Sequence, residues 1–101
     1  MEKSQFIYVL KLLPHLLDQT SWTEKERKIV QDHFVRLQAL RDEGKVFLAG
    51  RTLNMDPTGF GIVILEVDSE AEARKLMEQD PTVREGMMTA QLFPYRIAVY
   101  R

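Results

Sequence analysis

The chain has 101 residues, with 14 basic against 15 acidic side chains and a formal net charge of −1. That length fits one domain with no room for a second, and the cancelled charge leaves no electrostatic footprint for nucleic acid or an anionic membrane surface. Hydrophobic residues make up 45% and there is no cysteine, so the composition is that of a folded chain and excludes disulfides, thiol catalysis and zinc–thiolate sites.

No stretch approaches the ~20 apolar residues a membrane helix needs. No charged, apolar and small-residue segments follow one another after Met1, as a secretion signal would require. The expected location is the cytoplasm.

Phe6 to Leu13 is a β-branched and aromatic run stopped by Pro14, which predicts a first strand. A polar loop, Pro14 to Ser21, follows. Thr23-Glu24-Lys25-Glu26 is a capping box, with Trp22 in front of it to staple the start of a helix. The helix runs to about Glu43. Ile29, Val30, His33, Phe34, Leu37 and Leu40 form its apolar stripe, and Asp32, Arg36, Arg41 and Asp42 point elsewhere. Gly44 ends it in the left-handed region.

Lys45 to Gly50 predicts a second strand, and Arg51 to Thr58 a loop with turn formers Asn54, Asp56 and Pro57. Gly59 to Val67 completes a hairpin as the third strand. Asp68 to Glu72 opens a second helix, with Ser69 and Glu72 as its capping box and Ala73, Leu76 and Met77 inward. Pro81 stops this helix. One further turn spans Pro81 to Glu85, closed by Gly86. Thr89 to Tyr100 alternates again as a fourth strand, and Pro94 assigns it an edge position or a bulge. The predicted fold is α+β, a ferredoxin-like β-α-β-β-α-β domain over residues 1–101. Its four-stranded antiparallel sheet carries both helices on one face, because right-handed crossovers put them there.

The strands are apolar on both faces. The third carries Phe60, Ile62 and Ile64 on one side and Val63, Leu65 and Val67 on the other. The second puts Val46 and Leu48 on one side and Phe47 and Ala49 on the other. A sheet with one wet face alternates apolar and polar. Two helices cover one face only, so the other is expected to pair with a second copy, as a homodimer. Burying ~600 Å² of apolar surface there contributes roughly 15 kcal/mol before the cost of association.

His33 sits within the apolar stripe, where an imidazole must find a hydrogen-bond partner. It is either a core histidine bonded to a backbone carbonyl or one half of an acid/base pair. Asp80 ends the second helix, where the macrodipole disfavours a carboxylate. It is either the N-cap of the turn begun by Pro81 or the group that orients His33 and raises its basicity. Gly50, Arg51 and Arg84 are candidate substrate-binding positions. Arg51 and Arg84 flank glycine turns and suit an anionic ligand, or are surface charges. His15 lies in a polar loop. No metal site, phosphate-cradling loop or dinucleotide fingerprint is present, and no cofactor is expected.

These residues together resemble the YciI-like (YCII-related) family. The likeness runs from about His33 to Tyr100. It rests on His33-Phe34-Val35-Arg36-Leu37, Glu43-Gly44-Lys45, Leu48-Ala49-Gly50 and Gln79-Asp80-Pro81-Thr82-Val83-Arg84-Glu85-Gly86. It implies a dimeric α/β barrel, with His33 and Asp80 at the positions of a proposed active-site pair. Part of the family is associated with dehydrochlorinase-like activity. Many relatives place proline after the Ala-Gly step, and here Arg51 stands there. The expectation is a cofactor-free lyase, dehydrochlorinase or isomerase acting on a small organic substrate. The alternative is a non-catalytic dimeric ligand-binding or assembly module.

Overall fold

The computed structural model describes residues 3–101, so the start of the chain at Met1 and Glu2 lies outside it. Four strands, β1 (Ser4–Leu12), β2 (Val46–Arg51), β3 (Gly61–Val67) and β4 (Met88–Tyr95), alternate with α1 (Glu24–Asp42), α2 (Glu70–Glu78) and a single turn, α3 (Pro81–Arg84). The sheet order is β2-β3-β1-β4, and every neighbouring pair is antiparallel. This is the ferredoxin-like α+β fold that the element order predicts.

Local chemistry sets the helix ends. The Glu26 carboxylate accepts the Thr23 N–H at 2.7 Å, while the Thr23 hydroxyl accepts from Lys25 N–H at 3.3 Å. Gly44, at φ +80°, turns the chain out of α1. Ser69 Oγ accepts from Glu72 N–H at 3.1 Å and starts α2. The first loop holds two 3₁₀ turns, Pro14–Leu16 and Gln19–Ser21.

The core lies between the sheet and the helices. Phe6, Tyr8 and Leu10 of β1 and Val63, Leu65 and Val67 of β3 form one cluster with Leu37 and Leu40 of α1 and Leu76 and Met77 of α2. Alternate residues of each strand thus face both helices. The other face carries Ile7, which pairs across the strands with Ile64 and Phe93, and Val9, which pairs with Ile62. Phe93 and Tyr95 are exposed on it. No helix of the structure is long and apolar enough to cross a membrane, among the described residues.

Two expectations change. β4 ends at Tyr95, because the chain then leaves the sheet: Ile97 N–H donates to Gln5 Oε1 at 2.8 Å, and the Tyr100 ring meets Phe47 edge-on at 5.7 Å. A β-bulge at Phe47 also shifts the register of β2. Val46 pairs with Leu65, but Leu48 pairs with Ile64. The extra residue moves Leu48 to the face opposite Val46. β4 is an edge strand, as Pro94 requires.

Leu65 has no exposed surface and belongs to the core cluster that residues of both helices share. Leu65→Ala is expected to lower stability by about 2–5 kcal/mol through lost contacts and a cavity. Urea unfolding would show this as a lower midpoint with an unchanged slope.

Candidate active site

The site begins with a carboxylate that cannot reach water. Asp80 is fully buried where α2 ends and α3 begins, and it is the N-cap of α3. Pro81 at the first helical position has no N–H, so the first amide available to the cap is that of Thr82. Asp80 Oδ1 accepts this N–H at 3.0 Å and the Thr82 hydroxyl at 2.8 Å. The same oxygen lies 2.7 Å from His33 Nδ1. Its partner, Oδ2, accepts the Tyr8 hydroxyl at 2.7 Å. Three separated segments therefore meet on one carboxylate: β1 through Tyr8, α1 through His33 and α3 through Thr82. The two sequence readings of Asp80 describe one geometry, in which it caps α3 and touches His33 together.

The Thr82 amide can only donate, and the Thr82 and Tyr8 hydroxyls and an Nδ1–H of His33 can donate as well, so these surroundings favour the ionised carboxyl. Burial pushes the Asp80 carboxyl up, but the His33 imidazole, by hydrogen bond and charge, and the bonds from Thr82 and Tyr8 outweigh it and hold the group below the usual carboxylate range. Burial and the adjacent Asp80 push the Tyr8 hydroxyl well above the ordinary tyrosine range, so it stays a donor. An ionised Asp80 requires the proton of a neutral His33 to sit on Nδ1. The lone pair is then on Nε2. That nitrogen has no partner among the described residues and is not sealed from solvent.

His33 opens onto a cavity of about 520 Å³ between α1, the first loop, β2 and β3. This volume is in the ordinary range for a small-molecule site. Trp22, Phe34, Phe60, Leu10 and Val63 supply much of an apolar wall. Phe34 lies on the predicted stripe yet is 53% exposed, because it faces the cavity; its ring meets the His33 imidazole edge-on at 5.3 Å. Gly50 and Arg51 line the cavity. Arg84 does not. It is exposed on α3 and pairs with Glu85 at 3.2 Å. His15 is exposed in the first 3₁₀ turn and is also absent from the lining. Among the described residues, no three His, Asp or Glu side chains gather to hold a metal ion.

Arg36 corrects the sequence reading. It does not point away from the core. It lies one turn after His33, and its Nη2 donates to the Leu76 carbonyl at 2.9 Å while Nη1 is buried without a partner among the described residues. Its guanidinium is near enough to the Tyr8 hydroxyl to oppose the upward push on it. A long aliphatic stem lets a charged residue cross an apolar face, so polarity alone misassigns it. Polarity and spacing also leave Tyr8 and Thr82 out of the site. The sequence signal for Tyr8 is a hydroxyl on the inward parity of β1, and for Thr82 it is the amide two places after an N-cap.

The two titrations predict opposite limbs of the stability profile. A depressed carboxyl contributes stability above its ordinary pKa of 3.8 that is lost as pH falls through the lower native value. A raised tyrosine contributes stability that is full below 10.0 and is lost as pH rises beyond it. Thermal melts are therefore expected to weaken at both extremes. Tyr8→Phe should lose about 1.5–3 kcal/mol at neutral pH, by leaving Asp80 Oδ2 unpaired, and should flatten the alkaline limb. Asp80→Asn should flatten part of the acid limb.

A family model described as YCII-related domain matches residues 8–94, a span that includes Tyr8, His33, Asp80 and Thr82. Among solved structures, the chain is similar to 5-chloro-2-hydroxyhydroquinone dehydrochlorinase from Burkholderia phenoliruptrix, in a complex with 2,5-dihydroxybenzoquinone. The TM-score is 0.69 and the identity 22%, over 91% of this chain and 93% of that one. This likeness shows a shared fold. No curated protein sequence matches the chain. The match over residues 8–94 covers most of the fold and all of the Asp80 network, and the chain belongs to the YCII-related domain family.

Proposed function

We propose that this protein is a homodimeric, cytoplasmic, cofactor-free enzyme in which His33 is the general acid/base and Asp80 its orienting carboxylate. Its chemistry is proton transfer of lyase, dehydrochlorinase or isomerase type on a small organic ring. One observation carries the reading: His33 Nδ1 lies 2.7 Å from a fully buried Asp80, its other ring nitrogen has no partner among the described residues, and His33 lines a cavity of about 520 Å³.

The arrangement has the parts that base catalysis needs. Asp80 fixes the ring orientation and the tautomer, and its charge stabilises the imidazolium that forms when Nε2 takes a proton. In an elimination, Nε2 removes the proton and the freed electron pair forms the new double bond. The leaving group departs with the electrons of its own bond. In an isomerisation the imidazolium returns the proton to another atom. The similar structure is named as a dehydrochlorinase of a chlorinated hydroquinone, which supports a ring substrate. The aromatic wall of the cavity is compatible with one.

Assay against a panel of chlorinated hydroquinones tests this reading. His33→Ala is expected to lower kcat by about 10²–10⁴-fold, the usual range for a positioned acid/base group, with the far-ultraviolet circular dichroism unchanged. Asp80→Asn should also lose turnover, since an amide no longer specifies the tautomer. Unfolding of both variants, or full turnover by His33→Ala, would make the histidine a structural residue.

The dimer rests on the second sheet face. Ile7, Val9 and Ile62 are half-buried there beside exposed Phe93 and Tyr95, and both helices lie on the opposite side. Sedimentation velocity is expected to show a dimer, and Phe93→Glu a monomer that keeps its fold. A wild-type monomer at micromolar concentration would remove the dimer from the proposal.

A further inference from the structure

Arg51 closes β2 and starts from the helix side of the sheet. Its partner across the strands is Gly61. A Cβ placed on Gly61 would lie 3.7 Å from the Arg51 Cβ and 3.9 Å from the Leu10 Cβ, and Leu10 belongs to the core face. Arg51, Gly61 and Leu10 thus share the face that α1 covers, and Arg51 lines the same cavity as His33. Along β3 the inward row of Val67, Leu65 and Val63 continues to Gly61, which has no side chain. That gap leaves room next to Arg51.

The charge of Arg51 is not neutralised within the chain as described. Its guanidinium has only two long contacts, with the Thr52 carbonyl at 3.4 Å and Met55 Sδ at 3.9 Å. No carboxylate among the described residues lies within ion-pair distance of it. Arg41 also lines the cavity but pairs with Asp42 at 3.1 Å. The acidic group on the same wall is Asp56, whose Oδ1 already accepts from Asn54 and from the Thr58 amide and hydroxyl. A planar cation without a counter-ion among the described residues therefore borders an otherwise largely apolar, aromatic space.

We infer that Arg51 is the anion-binding end of this cavity, and that its ligand is a small planar organic anion, an aromatic ring bearing a negatively charged oxygen. The guanidinium fork matches such an oxygen or a carboxylate by paired hydrogen bonds, and the Trp22, Phe34 and Phe60 rings suit the apolar body. This substrate class rests on the proposed function in one respect. With His33 as base, Arg51 holds the anionic oxygen and so positions the ring, while the electron pair left by the departing proton forms the new double bond and the leaving group departs with the electrons of its own bond. Binding of the anion needs no turnover.

Trp22 is the single tryptophan and lines the cavity, so its emission reports occupancy. The test titrates benzoate and its neutral isostere benzamide, at low ionic strength, into wild type, Arg51→Met, Arg51→Lys and His33→Ala. Wild type is expected to bind benzoate about tenfold more tightly than benzamide, or better. Arg51→Met should abolish that difference with benzamide affinity unchanged, and Arg51→Lys should keep part of it. His33→Ala should retain it, because Arg51 holds the anion. A preference that survives Arg51→Met overturns the subsite, as does equal binding of both probes by wild type or no binding of either. Loss of turnover in His33→Ala, the readout for the acid/base pair, is independent of every one of these outcomes.

Discussion

A carboxylate buried without water must be supplied with donors, and Asp80 takes them from β1, α1 and α3. An isolated ionised carboxyl in such a place would be strongly destabilising. Four hydrogen bonds turn it into a node that three elements share. Tyr8 and Asp80 are 72 residues apart in sequence and His33 and Asp80 are 47 apart, so the node ties long-range parts of the chain to one another. β1 must keep its register for Tyr8 to face inward. α1 must keep its rotation for His33 to reach the same oxygen as Thr82.

This dependence links stability to chemistry. The interactions that hold Asp80 ionised also set the tautomer of His33, and the tautomer decides which nitrogen carries the lone pair. A substitution at Tyr8 would reach the imidazole through Asp80, without touching any ligand. Arg36 stands behind the same group, with one buried nitrogen unpartnered among the described residues. The inner side of the site is therefore held by hydrogen bonds from three elements. Its outer side is formed by exposed residues of β2 and the loop after it, where variation is tolerated at low cost.

The cavity itself is a consequence of incomplete covering. α1 and α2 press on the central strands, where Leu65 and Val67 are sealed, but β2 is exposed except at Val46. Between that edge strand and α1, the absence of a side chain at Gly61 leaves space, and Phe34 and Trp22 wall it without filling it. The opposite sheet face is apolar and uncovered by helices, which gives the same fold one surface suited to a second copy and another suited to a small ligand.

The order of elements was legible in the sequence because it depends on local and periodic signals. The capping boxes at Thr23 and Ser69, the glycine at 44, the stripe through Ile29 and Leu37 and the Asp80-Pro81 step all act within a few residues of themselves. The pairing of His33 with Asp80 was readable through family resemblance; spacing alone offered two readings for each residue, and no local rule gives a distance across 47 positions. Tertiary structure decided the rest. It turned Arg36 inward, moved Leu48 to the far face through a bulge, ended β4 at Tyr95 and set Arg84 outside the cavity that Arg51 lines. It also brought Tyr8 to Asp80. Hydropathy ranks a residue by what it would rather touch, whereas a buried carboxylate recruits whichever donors the packed strands and helices bring within reach.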